Sequence, residues 1–106
     1  MLKAGFYYVG DLCYITEDAH CGVNVFEYEN DNGDSVTCAN FRTAYGDGTY
    51  NDQDGRRYDV DSGTIGCFPV SKYFDEGNVI EFKEDFEVSK KDGVIKFGHI
   101  EINTKV

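Results

Sequence analysis

The punctuation of this chain constrains its fold more than any other feature. Short runs rich in aromatic and β-branched residues are broken about every 10 to 20 residues by glycine-bearing turn sequences. The segment Asn30-Asp31-Asn32-Gly33-Asp34 contains Asn-Gly, which supplies the positive φ angles of a tight hairpin. Tyr50 and Tyr58 flank a second hairpin sequence, Asn51 to Arg57, and Lys91-Asp92-Gly93 forms a third turn. Strands are expected over residues 4–9, 22–29, 35–41, 63–70, 79–82, 86–88 and 94–103. Pro69 lacks an amide donor, so the end of the 63–70 strand belongs at a sheet edge or outside the ladder.

The last strand carries a phase break. Ile95 and Phe97 share one face; Ile100 and Ile102 share a face at an odd offset from the first pair, with Gly98 between them. A β-bulge at Gly98 would absorb the extra residue and bring all four to the core side. Helical signals are confined to one turn at residues 16–21, which opens with Thr16 as a cap followed by two acids, and another at residues 71–76. The pattern therefore predicts an all-β fold: an antiparallel meander forming a small sandwich or barrel, with one or two short helical turns.

At 106 residues the chain builds one core, so residues 1–106 are expected to form a single domain. Sixteen Phe and Tyr residues are too many for a disordered acidic tail. No apolar run reaches the roughly 18 residues of a membrane-spanning helix. The start of the chain has no apolar stretch of the kind a secretory signal needs, which points to a cytoplasmic setting with reduced thiols. The irregularly spaced Cys13, Cys21, Cys38 and Cys67 are read as small buried hydrophobes, and no cofactor or metal is expected.

Three acidic motifs with glycine beside them stand at strand ends. They are Gly10-Asp11-Leu12-Cys13-Tyr14, Thr43-Ala44-Tyr45-Gly46-Asp47-Gly48, and Val60-Asp61-Ser62-Gly63-Thr64-Ile65-Gly66. Glycine allows unusual backbone angles, and the adjacent carboxylate serves backbone amides, a cation or a ligand hydroxyl. Each Asp can simply cap its own turn. If the motifs converge, Asp11, Tyr14, Thr43, Tyr45, Asp47, Asp61 and Ser62 form a candidate ligand site. Together these motifs resemble small uncharacterised proteins of bacteria and their phages, over most of residues 7–70. The resemblance implies a small cytoplasmic or phage-encoded domain and brings no activity with it.

Other chemistries find less support. Residues 52–55, Asp-Gln-Asp-Gly, overlap the opening of an EF-hand loop, but the third ligand, the distal Glu and the flanking helices are missing. A shallow cation site of Asp47, Asp52 and Asp54 is the residual alternative, and Asp-Gly turn chemistry accounts for the same residues. With 12 Asp and 8 Glu, carboxylate pairs arise by chance and do not identify a hydrolase. No phosphate-binding loop, nucleophile elbow or zinc-protease helix occurs. His99 is expected to be a half-buried or surface strand residue.

Charge is unevenly distributed. Twenty acids against ten bases give 10 − 20 = −10. Residues 1–78 hold 14 acids and 5 bases, 5 − 14 = −9, while residues 79–106 hold 6 acids and 5 bases, 5 − 6 = −1. Such an excess disfavours direct nucleic-acid binding and attachment to anionic membranes. Some of the eight tyrosines are expected at the surface, where tyrosine is a common interface residue. Arg56 and Arg57 are expected to pair with Asp52, Asp54 or Asp59 across their hairpin. The leading expectation is a non-enzymatic acidic protein that binds a basic protein partner. Its concrete form is a phage-encoded inhibitor of a host nucleic-acid-binding or defence protein. The alternatives are a small-ligand or cation-binding domain using the glycine-flanked Asp residues, and a small hydrolase with paired carboxylates.

Overall fold

A computed structural model describes residues 2–14 (the Tyr14 side chain excepted), 25–29 and 33–105. In chain order its elements are β1 (Gly5–Gly10), a 3-10 turn (Leu12–Tyr14), β2 (Val25–Glu29), β3 (Ser35–Arg42), β4 (Gly48–Asn51) and β5 (Arg57–Val60). These are followed by β6 (Thr64–Pro69), β7 (Asn78–Phe82), β8 (Val88–Lys91), β9 (Val94–Phe97) and β10 (Ile100–Asn103). Each turn sequence closes the hairpin it predicts. Glu29 pairs with Ser35, Tyr50 with Tyr58, and Lys91 with Val94. Asp92 and Gly93 take φ of 53° and 79°, the two successive positive angles of a type I′ turn.

All pairings are antiparallel, and the fold is all-β. β8, β9 and β10 run as a meander. The five-stranded sheet instead has the order β2-β3-β6-β1-β7, and β4 pairs only with β5. The arrangement is a small sandwich with open edges and does not close into a barrel. One face of the large sheet, through Tyr7, Val9, Phe41, Ile65 and Phe82, meets Tyr50 and Tyr58 of the β4–β5 hairpin and the apolar side of β9–β10. The opposite face carries Tyr8, Phe26 and Cys38, covered in part by Leu12 and by Phe74, whose ring lies edge-on to Tyr8 at 6.1 Å. Gly66 is what seats the 3-10 turn. A β-carbon there would lie 2.5 Å from the Ala39 carbonyl oxygen and 2.7 Å from Leu12, so only glycine lets both approach the sheet.

The Gly98 region corrects the sequence reading. Residues 94–103 are two strands, with Phe97 opposite Ile100 and Ile95 opposite Ile102. Gly98 and His99 form the two-residue connection, and Gly98 has φ of 57°, as the first position of a type II′ turn requires. Reversal of the chain solves the odd offset without a bulge. All four apolar residues are fully buried, each worth about 1.5–3 kcal/mol of burial. The expected strand at 86–88 is also absent: Phe86 makes only an isolated bridge to Leu2, and β8 begins at Val88. Residues 71–76 contain a single turn, in which Phe74 N donates to Ser71 O at 3.0 Å, and no helix. The one helical turn among the described residues is Leu12–Tyr14, while the expected turn at 16–21 lies outside them. Pro69 is not outside the ladder as expected: it pairs with Tyr7 of β1 in an interior strand, and is tolerated because it stands past Cys67, the last β6 residue paired with β3.

Candidate functional site

The three acidic motifs meet at one end of the sandwich. Asp11 follows β1 directly and is 1% exposed. Its Oδ1 accepts hydrogen bonds from Cys13 N (3.0 Å) and Ser62 Oγ (2.7 Å). Its Oδ2 accepts from Asp61 N (2.7 Å) and Ser62 N (2.8 Å). Burial pushes the carboxyl upward, but the bonds from Cys13 and Ser62 outweigh it and hold Asp11 below its ordinary value. With four donors placed around two oxygens, the carboxylate is fully occupied by its own protein.

Thr43 makes the second connection. Its amide donates to Gly63 O at 3.0 Å and its hydroxyl to Gly46 O at 2.6 Å, where the Tyr50 hydroxyl also donates at 2.8 Å. Gly46 and Asp47 pack beside Gly63. On the far side Ala44 N donates to Thr104 Oγ1 at 2.9 Å, and that hydroxyl donates to the Gly93 carbonyl. Asp11, Thr43 and Ser62 thus tie the loops together, and Tyr45, 69% exposed, lies at the surface with the exposed Asp47 and Asp61. The Tyr14 side chain lies outside the described residues.

A second buried carboxylate stands in the β4–β5 turn. Asp52 Oδ1 accepts from Asp54 N (2.9 Å) and Arg56 N (3.0 Å). Its Oδ2 accepts from the Tyr58 hydroxyl (2.7 Å) and Arg56 Nη1 (3.1 Å). Burial raises its pKa, and the Tyr58 and Arg56 bonds more than reverse this, so Asp52 also sits low. Arg57 pairs with Asp59 at 2.9 Å, two residues along the same strand and not across the hairpin as expected. Asp47 and Asp52 lie at opposite ends of β4, roughly 16 Å apart at strand spacing, so the Asp47–Asp52–Asp54 cation site does not assemble. Among the described residues no group of His, Cys, Asp and Glu is arranged to hold a metal.

Four tyrosines that the composition left open are buried with each hydroxyl satisfied. Tyr7 donates to Lys3 O, Tyr8 to Asp11 O, Tyr50 to Gly46 O and Tyr58 to Asp52. Cys38 and Cys67 are core residues, as read, whereas Cys13 is exposed and Cys21 lies outside the described residues. Burial pushes the Cys38 thiol up to about 12 and raises Cys67 as well, which leaves both poor nucleophiles.

Sequence reasoning missed a concavity of about 660 Å³ where β7 and β8 diverge. Phe82 and Phe86 stack beneath it at 4.0 Å between centroids, and the exposed His99 ring lies 5.2 Å from Phe82. Glu81, Glu84 and Glu87 stand along it. The alternation of Phe82 and Phe86 with acids was the available signal, and it matches no established motif. No protein-family model, curated protein or solved structure matches the chain.

Proposed function

We propose that this is a non-enzymatic acidic binding protein that presents its Gly-Asp end to a basic protein partner. The supporting observation is the division of labour at that end. Asp11 and Thr43 satisfy the loop backbone internally, leaving Tyr45 exposed with Asp47 and Asp61 on a braced surface. The four ion pairs among the described residues engage Lys3, Arg56 and Arg57, and none involves Asp47. An exposed aromatic side chain in an acidic loop suits a basic partner. In concrete form the acidic end occupies the phosphate-binding surface of a basic host protein in the cytoplasm, as a phage-encoded inhibitor would.

A small-ligand, cation or hydrolase role for Asp11 would first have to displace its four donors, which weakens those readings. The test is capture from bacterial lysate at low salt by the immobilised protein and by a Tyr45→Ala, Asp47→Lys, Asp61→Lys variant. The expected outcome is a basic protein retained by the parent, released by salt and lost by the variant. Equal capture by both would remove the Gly-Asp end from the reading.

A further inference from the structure

β8 is an outer strand of the three-stranded sheet, and the direction of its backbone groups follows from its pairing with β9. Gly98 N donates to Glu87 O at 2.9 Å, so Glu87 faces β9. Hydrogen-bonded pairs alternate along an antiparallel ladder, so Ser89 and Lys91 face β9 as well. The N–H and C=O groups of Val88 and Lys90 therefore point away from the sheet. Among the described residues no strand takes them up. Space is open on that side, where β7 and β8 diverge from the 83–87 segment.

The other sheet edges suit a second copy less well. The β10 edge is met by the β4–β5 turn: Asp52 bridges Ile102, Gln53 N donates to Glu101 O at 3.1 Å, and Glu101 N donates to Gln53 Oε1 at 2.7 Å. β2 carries Glu27 at its centre, so pairing with itself over its full length would oppose two like charges. β7 paired with itself would set Glu81 opposite Val79 and gain no ion pair. β8 differs in both respects. Glu87, Lys90 and Lys91 are exposed and lie outside every ion pair among the described residues. Two copies of a chain with net charge −10 repel each other, yet residues 88–103 hold Lys90, Lys91 and Lys96 against Asp92 and Glu101, 3 − 2 = +1. Two copies can meet at this sheet without adding acid to acid.

We propose that β8 is a self-association edge: two copies of this chain pair antiparallel through β8 and join their three-stranded sheets into one. The twofold axis passes through Ser89. Each Val88 then exchanges both backbone hydrogen bonds with Lys90 of the second copy. Glu87 stands opposite Lys91 of the second copy, and symmetry repeats the pair. The half-buried Val88, which packs against the core, is covered by the aliphatic stem of Lys90 of the second copy. Moving the axis to Lys90 would oppose two lysines, so these charges select one register. A four-residue edge buries little surface, which makes the dimer weak and dependent on concentration. Tyr45, Asp47 and Asp61 take no part, and the assignment holds whether or not the Gly-Asp end binds a partner.

The experiment is sedimentation velocity over a concentration series. Four samples are compared: the parent, Glu87→Lys, Lys91→Glu, and an equimolar mixture of the two variants. Both substituted residues are exposed, and amide NMR spectra establish that each variant is folded. The parent should pass from monomer to dimer as concentration rises. Each variant alone replaces both ion pairs with like-charge contacts, so its dimer should dissociate about tenfold more readily, or more. In the mixture unlike chains meet with opposite charges at both contacts, and dimer should return at about the parent's concentration. A parent that stays monomeric up to roughly 1 mM overturns the assignment. So does a mixture that stays monomeric, or a variant that dimerises as the parent does. Net charge alone predicts opposite effects, with Glu87→Lys tightening the dimer and Lys91→Glu loosening it, and that result would also overturn the β8 register. None of these outcomes bears on capture of a partner by the Gly-Asp end.

Discussion

Asp11 and Asp52 are both buried carboxylates that accept four hydrogen bonds, yet they do different work. Asp52 is local: every partner lies within six residues of it, and one is the charged side chain of Arg56. Asp11 is long-range: three of its four bonds come from Asp61 and Ser62, about fifty residues away, and no cation is among them. One anion finishes a turn, and the other fastens two loops that the chain alone would not bring together. Three of the donors to Asp11 are backbone amides, against two of those to Asp52, and backbone amides cannot turn away when their acceptor is lost. The Arg56 side chain, 39% exposed and already 3.3 Å from Asp54, can.

That difference predicts unequal costs. Asp11→Ala should lose about 3–5 kcal/mol in urea denaturation, because it strands several buried donors at once. Asp52→Ala should lose about 2–3 kcal/mol, from the buried Tyr58 hydroxyl and the Asp54 and Arg56 amides left without their acceptor. Equal losses would mean that the reach of the bonds is irrelevant.

Acid should affect both. Each carboxyl has a folded value below its unfolded one, so each contributes stability that is complete above about pH 4 and is lost as pH falls toward the lowered folded values. Melting temperature should drop between about pH 4 and pH 2, and the drop should be shallower in Asp11→Asn and Asp52→Asn than in the parent. An unchanged slope in Asp11→Asn would show that its bonds do not favour the ionised form.

Salt gives the smallest and sharpest contrast. Arg56→Gln, or 1 M NaCl, should cost the Asp52 turn about 0.5 kcal/mol or less, because the pair is half exposed. The same salt should leave the Asp11 contribution unchanged. Comparing salt dependence in the two Asp→Asn variants checks this.

The same contrast explains what could be read from the residues. Local chemistry was legible. Asn-Gly and Asp-Gly marked the hairpins, and the pairing of Arg56 with Asp52 and Asp54 follows from hairpin geometry. The capping habit of Asp11 was legible in kind, but its partners at Asp61 and Ser62 were not, because no local periodicity encodes a contact across fifty residues. The break at Gly98 is legible in the sequence but its form is not, since a bulge and a two-residue hairpin bring the same four apolar residues to one side. The groove at Phe82 and Glu84 was invisible because it arises only where two sheets part company. The ligand role of Tyr45, Asp47 and Asp61 is a matter for the capture experiment.

The position of β1 also orders events in time. β1 lies between β6 and β7, with Cys67 opposite Val9 and Phe82 opposite Gly5. Both neighbours of this aromatic strand therefore emerge from the ribosome dozens of residues after it. The β2–β3 hairpin can form while β1 still waits with two open edges. Folding should therefore be slow for so short a chain, as distant pairings demand. During that wait the segment Gly5–Gly10 is the stretch most in need of protection from other unpaired strands.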